Sequence, residues 1–119
     1  MNSCLAESDL RDLGNEMLES FERRVAAIPA DLSAPFHTEA RLLEAELLSI
    51  YKFVALCARK ADDLEQISRA WALMVDVCDK AGNGLNALAK QHPSCGAEAY
   101  YDRVLDLRNK CHRLQQMHS

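Results

Sequence analysis

The five cysteines and four histidines of this 119-residue sequence carry its most reactive chemistry. Thiolates and imidazoles hold Zn2+ most readily when they come in closely spaced local pairs, and Cys-x-x-Cys also supports thiol redox chemistry. Cys4, Cys57, Cys78, Cys95 and Cys111 contain no such pair. Lys110-Cys111-His112 ends like a covalent haem attachment motif, but Arg108 stands where the first cysteine would be. Glu-x-x-His, the inward-facing ligand unit of dinuclear carboxylate bundles, does not occur. His37, His92, His112 and His118 all fall at or near expected helix ends. Cys111 and His112 are chain neighbours, about 100° apart on a helix, and do not face each other as nucleophile and base. Gly82-Asn83-Gly84 lacks the preceding strand and following Lys-Ser/Thr of a phosphate loop. No catalytic residue, metal site or cofactor is assigned on this basis, and a non-enzymatic role is expected.

Cys57, Cys78 and Cys111 fall on apolar stripes, where a free thiol packs as a small hydrophobe. Two charged residues in apolar sectors are more informative. Arg24 aligns with Met17, Phe21 and Ile28, and Glu46 lies between Leu42, Leu43, Ile50 and Phe53. A charge so placed needs a partner or a route to solvent along its stem. Arg24 and Glu46 are therefore candidates for a polar contact in the bundle, or, with Trp71 and Tyr100, for the lining of a small ligand pocket. A small-ligand or metal-binding bundle is the second functional reading. Besides those four residues it has two loose Cys/His groups that the topology carries to opposite ends: Cys4, Cys57, Cys111, His112 and His118 at one, His37, His92 and Cys95 at the other.

Four segments with helical periodicity must position these side chains. The first, 8–28, repeats Leu10, Leu13, Met17, Phe21, Val25 and Ile28 and stops at Pro29. The second, 36–60, carries Leu43, Leu47, Ile50, Val54 and Cys57. Asp62 is the expected cap of the third, with Glu65 closing a capping box. Without a reversal there, a helix over 38–91 would run about 80 Å, too long for a chain of this size. The third segment, 63–91, keeps its phase from Leu64 through Ile67, Trp71, Met74, Cys78, Ala81, Leu85 and Leu88, so it passes through Gly82-Asn83-Gly84 as one helix weakened or bent there. His92-Pro93-Ser94 breaks it, and 95–117 repeats Ala97, Tyr100, Val104, Leu107, Cys111 and Leu114.

Short connections make sequential helices antiparallel, so the expected fold is all-α, an up-down-up-down four-helix bundle forming a single domain over 1–119. Only four Gly and three Pro are available, too few for the turns of an all-β chain. A net charge of −4 argues against a phosphate-backbone partner, so no nucleic acid is expected. The longest nearly apolar run, 47–58, is interrupted by Lys52 and too short to cross a bilayer, so no membrane partner is expected either. Met1 to Asp12 has no apolar signal-peptide core, and a cytoplasmic, reducing setting with mostly free thiols follows as an expectation.

One surface remains to be explained. Arg41, Ala45, Leu48, Lys52, Ala55, Leu56 and Arg59 lie opposite the core stripe of the second helix, mixing apolar and small residues with basic charge alone. Tyr101, Leu105, Arg108 and His112 lie similarly off the seam of the fourth. Apolar surface outside a core marks interaction sites. The expected function is a protein-interaction or structural module that binds itself, as a homodimer through the outer face of the second helix, or binds a helical partner.

Overall fold

The computed structural model describes residues 7–29, 31–32 and 34–118. Helix α1 spans Glu7–Ala26 and ends shortly before Pro29, which cannot continue a helix. Helix α2, Ala34–Lys60, takes Pro35 into its first turn, where the missing amide hydrogen is not needed. Helix α3, Leu64–Gln91, is capped by Asp63, whose carboxylate accepts from the amides of Glu65 at 3.0 Å and Gln66 at 3.3 Å. The cap therefore falls one residue later than the Asp62 expected, and Glu65 pairs with Arg69 one turn on. A 3-10 turn, Pro93–Cys95, and Gly96 at φ 82° lead into α4, Ala97–Met117. The left-handed Gly96 delays the start of α4 beyond the expected Cys95. Helix α3 continues unbroken through Gly82-Asn83-Gly84.

Contacts between helices set their directions. Arg24 reaches Glu39, whereas Leu13 and Met17 border Ile50 and Phe53, so α1 and α2 are antiparallel. Phe36 stacks on His92 and Tyr51 lies against Trp71, giving the same relation between α2 and α3. Gly82 faces Tyr101 and Asp79 meets Arg108, which makes α3 and α4 antiparallel as well. The fold is the expected up-down-up-down bundle, with a lateral order that simple succession does not convey. Helix α1 packs beside α3 in parallel, with Gly14 against Val77 and Gly84 against Phe21. Helix α2 packs beside α4 in parallel, with His37 at Tyr100 and Tyr51 under Lys110. Helix α3 thus touches all three others and has its most extensive contact with α4.

This central place explains the composition of α3. Besides its heptad stripe it buries Ala70, Val77, Gly82 and Ala89, a second, mostly small-residue row that lets neighbouring backbones approach. The core joins side chains of all four helices, including Phe21, Phe36, Leu43, Leu47, Met74, Leu85 and Val104. Each such large side chain contributes about 1.5–3 kcal/mol on burial. Two residues of the expected stripes lie outside: Leu13 is exposed, with buried Gly14 taking the seam beside Val77, and Leu64 is exposed at the first turn of α3. The second face expected on α4 is only partly free. Tyr101 is half-buried against Gly82 and Arg108 is engaged by Asp79, because the glycine admits the α4 side chains close to α3.

Candidate functional site

Helix α2 turns its charges in two directions. All three of its carboxylates reach other helices: Glu39 accepts from Arg24 Nε at 2.6 Å, Glu46 lies 3.6 Å from Arg24 Nη2, and Glu44 is 3.2 Å from Arg103 Nη1. Arg41, Lys52 and Arg59 remain on the exposed side with Ala45, Leu48 and Leu56, while Ala55 is half-buried. The outward face of α2 is therefore basic and apolar. Exposed α1 has the opposite balance, with Asp9, Asp12, Glu16, Glu19 and Glu22 against Arg11 and Arg23.

The apolar surface extends beyond the seven residues that periodicity places there. Leu42 (42% exposed) and Phe53 (45%) carry it from Leu56 (50%) toward α1, where Leu13 (43%) meets it. Between the two helices lies a groove of about 290 Å³ lined by Leu13, Met17, Glu46, Ser49, Ile50 and Phe53. Counting Leu42 and Phe53 as core neighbours of Glu46 hides this part of the surface. Glu46 itself is the missed signal, since a charge between two apolar residues marks the edge of a buried sector.

Of the four residues considered for a polar core or ligand pocket, the fold unites two. Arg24 and Glu46 meet on the α1–α2 seam, where Arg24 also bonds Glu39 and Ser20. Arg24 Nη2 and Glu46 Oε1 are shielded from solvent, with a separation longer than a hydrogen bond. Trp71 is buried beside Tyr51, with Lys110 over the Tyr51 ring. Tyr100 is buried on the α2–α4 seam, its hydroxyl 3.3 Å from His37 Nε2 and its ring under Arg103. Trp71 and Tyr100 therefore belong to different layers of the bundle, separated by roughly 20 Å along its axis at 1.5 Å per residue.

Among the described residues, no group of three or more His, Cys, Asp or Glu is arranged to hold a metal ion. His37 and His92 do reach one end, but as ring partners of Tyr100 and Phe36. Cys4 lies outside the described residues. Cys78 and Cys111 are free and buried, as expected of thiols on apolar stripes, and Cys95 is free and buried as well; Cys57, expected to be a third free core thiol, is buried but disulfide-bonded. Periodicity did not reveal that Cys78 and Cys111 are neighbours across the α3–α4 seam. The interaction with Cys111, followed by burial, pushes the Cys78 thiol well above the ordinary range.

These features define an all-α four-helix bundle with an amphipathic outer surface on α2, and no helix among the described residues is long and apolar enough to cross a membrane. No family profile, characterised protein or solved structure matches the chain.

Proposed function

We propose that this protein is a non-enzymatic interaction module that pairs with a second copy of itself through α2 and the adjoining edge of α1. The observation that carries the reading is the run of exposed Leu13, Leu42, Leu48, Phe53 and Leu56 beside unlike charge on the two helices. A two-fold pairing sets the basic face of α2 over the acidic face of α1 in the other copy and repeats that match on the opposite side. Apolar side chains then fill the centre and charges form the rim, the usual division within an interface. A cytoplasmic location belongs to the same reading: three free buried thiols support a reducing compartment, and the Cys57 disulfide weighs against one.

Light scattering over a concentration series tests the association. The mass is expected to rise from 13.3 kDa toward twice that value, and Leu48→Glu with Leu56→Glu is expected to hold the protein at monomer mass without loss of helicity. A native chain that stays monomeric throughout overturns the proposal.

A further inference from the structure

Leu42, Ser49 and Leu56 are spaced by seven residues, so they share one row along α2, and all three are exposed. The residues around Ser49 form unlike pairs. Small Ala45 stands four residues before it and large Phe53 four after; acidic Glu46 stands three before and basic Lys52 three after. Glu46 is half-buried, and Arg24 Nη2 beside it is 3.6 Å away, beyond hydrogen-bond reach. Lys52 is exposed and enters no ion pair among the described residues. On the α1 side the row borders the groove that Ser49 shares with Leu13, Met17 and Phe53.

We propose that the second copy docks with its α2 antiparallel to this one and with the two-fold axis at Ser49, an orientation that rests on the self-association proposed above. In that register Leu42 of each copy meets Leu56 of the other, Phe53 lies over Ala45, and Lys52 reaches Glu46. The axis repeats each contact on the far side of Ser49, so one helix face satisfies itself. Serine and alanine at the crossing let the helix axes approach to the roughly 8–10 Å of packed helices. A parallel pairing of the same faces sets Lys52 on Lys52, Glu46 on Glu46 and Phe53 on Phe53, so like charges meet and bulk stacks on bulk. The antiparallel register also agrees with the charge on α1. Met17 and Ser49 line the same groove, so Glu16 and Glu19 lie level with the centre of the contact, close to where Lys52 of the second copy arrives.

Single cysteines on this exposed row read the register. Ser49→Cys, Leu42→Cys and Leu56→Cys proteins are treated with a short bismaleimide at concentrations where light scattering shows the dimer, with the native chain as the blank. Cysteine keeps part of the apolar contact at each leucine position. Ser49→Cys is expected to shift from 13.3 kDa to twice that mass on a reducing denaturing gel. Leu42→Cys and Leu56→Cys are each expected to stay at 13.3 kDa alone and to reach twice that mass only when mixed. Two copies of position 42 lie about 21 Å apart along the antiparallel pair, at 1.5 Å per residue, and a short linker does not span them. Dimers in which Leu42→Cys or Leu56→Cys links to itself, or in which Ser49→Cys does not link, overturn the antiparallel register and leave the self-association standing. A native chain that shows no dimer by light scattering overturns both.

Discussion

At the scale of single residues, the closest constraint is at Gly14. A Cβ there would lie 2.6 Å from Val77 Cγ2, and a β-branched valine in a helix has little rotamer freedom with which to yield. Gly84 differs, since an added Cβ would meet the Phe21 ring at an ordinary 3.5 Å. Gly14→Ala is therefore expected to lose about 1–2 kcal/mol in urea unfolding, overpacking outweighing helix propensity, while Gly84→Ala should gain up to about 1 kcal/mol. Equal effects at the two positions would contradict this packing. Sequence periodicity recovers most of the core but treats Gly14 as neutral and Leu13 as core, because hydropathy records what a side chain prefers and not how close a neighbouring backbone comes. Arg24 and Glu46 were legible as charges requiring partners; that they meet each other depends on the antiparallel register of α1 and α2. That Cys78 and Cys111 are neighbours across the seam was also within reach, since both thiols lie at similar distances from the break at 92–96.

At the scale of elements, capping chemistry sets the reversal between α2 and α3. Asp63 accepts from two amides at the start of α3, so Asp63→Ala is expected to destabilise the fold by about 0.5–2 kcal/mol. Exposed Asp62, next to it, should change stability by no more than about 0.5 kcal/mol on replacement by Ala. Chemical denaturation of the two variants separates these positions, and a larger loss at Asp62 would contradict the observed cap. The sequence places both aspartates at a helix start; which one caps depends on a single residue's backbone angles, φ −94° and ψ 105° at Asp63. Continuity through Gly82 and Gly84 was legible for a stronger reason. An apolar phase maintained on both sides of the glycines is incompatible with an intervening turn, and tertiary contacts along α3 offset their weak helix propensity.

At the scale of the whole molecule, the arrangement is elongated, 51 × 23 × 16 Å, with α3 touching every other helix. Helix direction followed from short connections, but side-by-side order did not. The parallel contacts of α1 with α3 and α2 with α4 rest on Gly14, Gly84 and the His37–Tyr100 and Glu44–Arg103 pairs, which no periodic pattern identifies. That order brings α1 and α2 together along one edge, and ion pairing draws the α2 carboxylates inward, leaving basic α2 beside acidic α1. The central claim is that this edge receives a second copy. Its most direct test mixes isotopically heavy and light chains, joins amines to carboxylates with a zero-length carbodiimide reagent, and sequences the linked peptides. The account predicts heavy–light links between Lys52 of one copy and α1 carboxylates such as Glu16 or Glu19 of the other, absent from the Leu48→Glu/Leu56→Glu protein. Links confined to chains of one label, or mixed links that bypass α2, would contradict it.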